Sequence, residues 1–442
     1  MKTPLYNLHK SLGAKFTEFA GWEMPVEYSS ISKEVLSVRE DCGIFDISHM
    51  GRLLIKDSLE KLEYITSRSI AKLKPKRVQY NLLMNRRGGI RDDITIYRLS
   101  EDEFFLCVNA VNKEKVCEWF KEEGIKVEDI SHKTVQFALQ GPRAVEVLKE
   151  FFPVESIRYY HFEVFDGIIV SRTGYTGEDG FEVYAEASKG IELFEKLVKV
   201  CTPCGLGARD VLRIEAGMPL YGHEISEDIT PFEANLDRYV SLEKDFLGKE
   251  ELLKKEIKKR LFGLELLQRG VPREGYRVFY KDEPIGYVSS GTYSPTLQRG
   301  IALCFEDESR VIGNIHIPDS LWNKKEQGFF LEIETSLERR LKNIIEEYTA
   351  FEGWQEEVKS SIGKIRKYLG EEKYKNAISM LEEGRIEDLA LFLMTEYYDK
   401  AYKLNKSAFL KLYCSNEEEC LSKIKEVYSS LLKEGVISKL GG

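Results

Sequence analysis

The chain has 442 residues, 43% of them apolar and 31% charged, and a formal net charge of -9. Such a length implies about two to four domains, and the composition excludes a disordered chain. The acidic balance, with no block of lysine and arginine, argues against nucleic acid and against anionic membrane surfaces as partners.

The amino terminus, MKTPLYNLHKSLGAKF, carries no apolar core of signal-peptide length, and no segment approaches the roughly 18 uninterrupted apolar residues of a spanning helix. A cytoplasmic protein is expected. From Ile31 to about Ile301 short β-rich runs, such as Ile94 to Tyr97 and Val164 to Ser171, alternate with amphipathic helical stretches, which predicts an α+β or α/β core. The clearest helix covers Ile191 to Val200, with Ile191, Leu193, Phe194, Leu197 and Val198 on one stripe. Glycine turns punctuate the region at Gly88-Gly89, Gly174 to Gly180 and Gly205-Leu206-Gly207.

From Lys259 to about Ala302 short strands separated by turns at Arg269 to Pro272 and Lys281 to Pro284 suit a small β domain. After Phe305 the pattern becomes helical: Leu337, Leu341, Ile344, Ile345 and Tyr348, then Trp354, Val358, Ile362, Ile365 and Leu369, each set spaced three or four apart. Eight cysteines are scattered along the chain, and only Cys201 and Cys204 form a CxxC pair. One pair without a second pair or histidines does not make a closed zinc site, so small semi-buried thiols and no metal are expected.

Three segments carry candidate chemistry. Gly88-Gly89-Ile90-Arg91-Asp92-Asp93-Ile94-Thr95 is a turn entering a strand, where alternation puts Asp92 on the face of Ile94 and Ile96 and sends Asp93 to the other. A carboxylate lining a cleft there could orient or deprotonate an amine, although a solvated turn acid is the better local reading. In Ser171 to Val183, Glu182 sits just inside a strand and could accept two parallel hydrogen bonds from an amino-pyrimidine edge; a hairpin acid in water explains it equally well. Arg209, near a helix start after Gly205 to Ala208, is a reasonable carboxylate anchor, with a surface or structural ion pair as the ordinary alternative. The third glycine of a dinucleotide loop is missing there, and no GxxxxGK[ST], HExxH or GxSxG motif occurs in the chain.

The order and spacing of these segments, with Phe19 to Pro25, Gly43 to Gly51, Tyr221-Gly222-His223 and Ser290 to Leu297, resemble the T protein of the glycine cleavage system over residues 3–303. The resemblance implies a tetrahydrofolate-dependent aminomethyltransferase that takes the aminomethyl carbon from the lipoyl carrier (H) protein and releases ammonia, with tetrahydrofolate as co-substrate. It implies a three-domain cloverleaf around a folate channel: two intertwined α+β domains in residues 1–258 and an incomplete carboxy-terminal β-barrel in 259–304. By the same resemblance Asp93 is catalytic, orienting the pterin and stabilising positive charge as nitrogen attacks. Glu182 holds the pterin amino edge, Arg209 binds nearer the benzoyl-glutamate end, and Met50, Tyr80, Asn109 and Tyr159 line the channel. His49 and His223 fall in matching motifs and are expected to be structural. From Glu306 to about Lys403, within the helical tail 305–442, the sequence is similar to the end of tRNA 2-selenouridine synthase, without that family's cysteine or phosphate loop. The competing expectation is an inert or tRNA-modification-related hybrid that binds folate or RNA without aminomethyl transfer.

Overall fold

A computed structural model describes residues 1–266, 269–280, 283–307, 322–323, 328–329 and 371–382. The chain divides into two compact units, Met1–Tyr276 with Gly286–Glu308, and Arg277–Ile285 with Ser309–Gly442. The first unit opens with α1 (Tyr6–Ser11), the hairpin β1 (Lys15–Phe19) and β2 (Trp22–Glu27), α2 (Ile31–Glu40), β3 (Gly43–Asp46), β4 (Gly51–Lys56) and α3 (Leu59–Ile65). There follow β5 (Val78–Met84), β6 (Ile90–Arg98), β7 (Glu103–Val108), α4 (Lys113–Glu122), β8 (Val127–Asp129), β9 (Thr134–Gln140) and α5 (Ala144–Leu148). Next come β10 (Phe162–Phe165), β11 (Ile168–Ser171), β12 (Gly180–Glu186), α6 (Ala187–Leu197), β13 (Thr202–Cys204), α7 (Leu206–Glu215) and α8 (Lys249–Lys254). The first unit ends with β14 (Lys259–Glu265), then, after β15 (Arg277–Tyr280) of the second unit, β16 (Glu283–Ser294) from Gly286 onward and β17 (Arg299–Asp307).

Two sheets form the body of the first unit, a mixed one ordered β10-β11-β12-β9-β3-β13 and an antiparallel one ordered β5-β6-β7-β4-β8. The helix expected from the Ile191 stripe is α6, whose buried face is Leu193, Phe194 and Leu197, with Ile191 and Val198 packed beside them. In β6 the alternation expected from sequence holds, with Asp92, Ile94 and Ile96 buried and Arg91, Asp93 and Thr95 half-buried. Behind the second sheet α4 buries Val116, Trp119 and Phe120. Burying such a face is what stabilises a ten-residue helix that would be marginal alone.

The run Val164 to Ser171 is two strands rather than one. Asp166 (φ 49°) and Gly167 (φ 77°) turn the chain between β10 and β11, which then pair antiparallel from Phe162↔Ser171 to Phe165↔Ile168. Two successive positive φ values are what an Asp-Gly hairpin turn supplies.

In the small β region β14 pairs with β17, and β17 with β16 from Gly286 onward, all antiparallel. No closed barrel is found among the described residues. The strand texture runs three residues past Cys304, because β17 stays paired with β14 out to Asp307↔Lys259. In the second unit Trp322–Asn323 and Gly328–Phe329 are short antiparallel strands, the latter also pairing with β15, so the region after Phe305 is not helical throughout. A helix, Glu371–Glu382, buries Ala377 and Leu381. The two helical sets expected between Leu337 and Leu369 lie outside the described residues. No helix among the described residues is long and apolar enough to cross a membrane.

Candidate active site

The β5–β6 hairpin builds the centre of the site. Its register sets Leu82 opposite Asp93 and Tyr80 opposite Thr95, so Tyr80 is the diagonal neighbour of Asp93. The Tyr80 hydroxyl donates to Asp93 Oδ2 at 3.0 Å. Asn109, the residue after β7, closes the other side: its Nδ2 donates to Asp93 Oδ1 at 2.7 Å and to Asp92 Oδ1 at 2.8 Å. One amide thus bridges two carboxylates. Asp92 also accepts from the Asn109 backbone N–H at 3.1 Å and from Asn112 Nδ2 at 2.7 Å.

The solvated-acid reading of this pair is overturned, since Asp92 is fully buried and Asp93 half-buried. No cation forms a salt bridge to either carboxylate among the described residues. Burial first, then the charge of Asp93, pushes Asp92 up to about 8. Burial also raises Asp93, against the bonds from Tyr80 and Asn109, which favour its ionised form. The turn feeding β6 is set by contact: a Cβ on Gly89 would sit 1.8 Å from the carbonyl oxygen of Glu227.

Glu182 is likewise no hairpin acid in water. It is 8% exposed, paired through the backbone with Ser171 and Ala138, and its Oε2 accepts from the Thr173 hydroxyl at 2.6 Å. Arg209 stands one turn into α7, its guanidinium 4.7 Å above the Tyr175 ring. Among the described residues it forms no ion pair within hydrogen-bond reach, and its buried Nη1 has no hydrogen-bond partner. Burial lowers the Arg209 pKa, opposed first by the charge of Glu182, then by Tyr175. Tyr175 lies beneath that guanidinium and its hydroxyl donates to the Pro219 carbonyl oxygen at 2.6 Å. Close approach, rather than phosphate binding, explains the Gly205 turn, where a Cβ would lie 2.2 Å from the Val26 carbonyl oxygen.

Met50 packs, half-buried, against the cluster that holds Cys107 and Tyr184. Tyr159 is 64% exposed and lies at the rim, lining a pocket of about 360 Å³ with Arg172, Glu178, Asp179 and Met218. Reading the sequence missed Tyr175, Tyr239 and Asn112. Tyr239 stacks edge-on with Tyr80 at 4.6 Å. At His49, expected to be structural, the buried Nδ1 has no hydrogen-bond partner among the described residues. Burial, then the charge of Arg209, pushes His49 down to about 3, so the ring is neutral. His223, by contrast, makes a contact of its Nδ1 with the Ser289 carbonyl oxygen at 3.1 Å. No group of metal-ligating side chains occurs among the described residues.

Residues 5–244 match the family model of the GCVT N-terminal domain. An aminomethyltransferase of Aquifex aeolicus is 60% identical over 315 residues, covering 71% of this chain and 90% of the relative. The chain belongs to the glycine cleavage T protein family. A Thermoanaerobacter aminomethyltransferase is 42% identical over 328 residues, covering 69% of this chain and 89% of the relative. The crystal structure of glycine cleavage system aminomethyltransferase T from Bartonella henselae superposes with a TM-score of 0.68 at 33% identity, covering 71% of this chain and 91% of that one. The mixed α/β fold is therefore that of the T protein, and the activity is aminomethyl transfer in glycine cleavage. Residues 296–427 match a second model, the tRNA 2-selenouridine synthase AAA domain.

Proposed function

We propose that Asp93 is the catalytic carboxylate of this aminomethyltransferase, and that tetrahydrofolate and the aminomethyl-lipoyl arm of the H protein meet beside it. The observation that carries this reading is the Asp93 carboxylate, half-buried and oriented by Tyr80 and Asn109 but unmatched by any cation within salt-bridge distance among the described residues. A carboxylate so placed stabilises the positive charge that develops as a folate nitrogen attacks the aminomethyl carbon and ammonia leaves. Because its partners already hold it, little reorganisation is needed when that charge appears.

Glu182, with Thr173 on one oxygen, accepts the paired N–H donors of a pterin amino edge. Arg209 supplies the unpartnered N–H for an anionic or carbonyl group of folate. Met50 and Tyr80 wall the channel, and Tyr159 lies at its mouth. Residues 1–258 and 259–304 form the three-domain cloverleaf, the last domain an incomplete barrel, with 305–442 as an added segment. The test is tetrahydrofolate-dependent ammonia release from an aminomethyl-loaded lipoyl carrier by the 442-residue chain. Release at an enzyme-like rate is expected; a folded, folate-binding chain that releases none would overturn the reading.

A further inference from the structure

The CxxC pair is not the thiol pair that the fold assembles. β13 runs parallel to β3 in the register Thr202↔Gly43, and the Thr202 N–H donates to the Cys42 carbonyl at 3.0 Å. One step back along both strands, Cys201 faces Cys42. Side chains at facing positions of parallel neighbours leave the sheet on the same side, and the two sulfurs are 2.9 Å apart. Neighbouring strands lie about 4.8 Å apart, inside the roughly 4.4–6.8 Å Cα window that a disulfide spans. Cys204 points elsewhere, its sulfur 3.3 Å from the Thr202 carbonyl oxygen and 3.7 Å from that of Glu34.

We infer that Cys42 and Cys201 are a built disulfide site, two thiols that oxidation converts to one covalent link between β3 and β13. Both are almost wholly buried, 1% and 5% exposed, within one apolar cluster that includes Ile44, Leu139 and Leu197. A disulfide is more apolar than two thiols and fits this setting without a polar partner. The link forms by exchange with a low-molecular-weight disulfide such as oxidised glutathione. One cysteine thiolate displaces a glutathione thiol to give a mixed disulfide, and the second cysteine displaces the other. Two S–H bonds are lost on the protein, one S–S bond is gained, and two glutathione thiols carry away the protons and electrons.

The contact with Cys201, then burial, pushes the Cys42 thiol far above its usual range, so thiolate is scarce in the folded state. Oxidation therefore belongs to the folding chain, before β13 closes on β3, and the same burial then shields the bond from reduction. The partners are 159 positions apart, so the link removes much freedom from the unfolded chain. Beyond β3 the chain runs to His49 and Met50, and beyond β13 to α7 and Arg209, so the link ties together the roots of two site segments.

The test refolds the full chain with oxidised and reduced glutathione, alkylates it in denaturant without further reductant and maps the peptides by mass spectrometry. A Cys42–Cys201 linked peptide and two fewer alkylated cysteines are expected. Thermal unfolding should then fall by roughly 5–10 °C on reduction, with the shift lost in Cys201→Ala and kept in Cys204→Ala. A refolded chain that alkylates at all eight cysteines once denatured, or that links Cys201 to Cys204, overturns the inference. The mass readout on the unmutated chain decides the matter even if Cys201→Ala does not fold.

Discussion

A buried arginine and a half-buried one show how differently the same side chain is used in this molecule. Arg52, fully buried on β4, donates to the carbonyl oxygens of Ser48, Met50 and Ser131 and to the Thr134 hydroxyl. Arg209 keeps one buried N–H with nothing to receive it. The carboxylates divide in the same way. Asp46 accepts from Thr3, His9 and the Ser48 N–H, and the other nitrogen of that His9 meets the Tyr28 hydroxyl at 2.8 Å. The Asp92–Asp93 pair is bridged by neutral amides and a phenol alone. Burial alone therefore does not mark the proposed site; its polar groups lack ionic partners, an arrangement that costs stability unless a bound partner offsets it.

The comparison breaks or sharpens first at Asp93. Asp93→Ala should lower turnover about 100- to 1,000-fold while tetrahydrofolate affinity stays nearly unchanged, read by ammonia release against an equilibrium titration. Equal losses in both would move Asp93 from catalysis to binding. Arg52→Met should lower unfolding stability by about 3 kcal/mol or more, since several carbonyl oxygens lose their donor. Arg209→Met should leave stability unchanged or raised and weaken tetrahydrofolate about 30-fold, the value of ~2 kcal/mol for one charge-assisted bond. Denaturant melts that show the same loss for both arginines would erase the distinction.

A smaller effect follows from pH. Asp92 binds its proton more tightly folded than unfolded, so its contribution is greatest below the unfolded pKa of about 4 and is lost as pH rises toward about 8. Asp46 is shifted down, despite burial, by His9, Ser48 and Thr3, so its contribution is present above about pH 4 and lost as pH falls through its lower folded value. The melting temperature of Asp92→Asn relative to the parent should thus climb between pH 5 and 8. The deficit of Asp46→Asn should hold across that range and shrink below pH 4. Parallel curves for the two variants would contradict the opposite signs. Smallest of all, His49→Gln should leave the limbs of the pH–rate profile where they are, because His49 is already neutral throughout; a moved limb would give it a proton to carry.

Much of the frame was legible in the amino acids alone. The period-two pattern of β6 is enough to turn Asp92 inward, and the α6 stripe buries its core where its spacing predicts. What escaped were facts set by distant residues. The alternation does not say how a buried carboxylate is satisfied, since the groups that hold Asp92 come from Asn109 and Asn112, 17 and 20 positions away. Cys201 reads naturally against its neighbour Cys204, while its partner lies 159 positions upstream. The β10–β11 turn is a different kind of miss, because Asp166-Gly167 is a local hairpin signal that the surrounding apolar run obscured.

Helix α7 joins these observations in ten residues. Arg209 faces the site, Arg213 grips Glu224 at 3.0 Å and Ser290 at 2.8 Å, and Glu215 receives Arg39 and the Ser294 hydroxyl. One inserted or deleted residue would rotate everything beyond it by about 100°, separating the grip on β16 from the Arg209 guanidinium over Tyr175. The three contacts fix the length of α7, since its ten residues must present Arg209, Arg213 and Glu215 in one register.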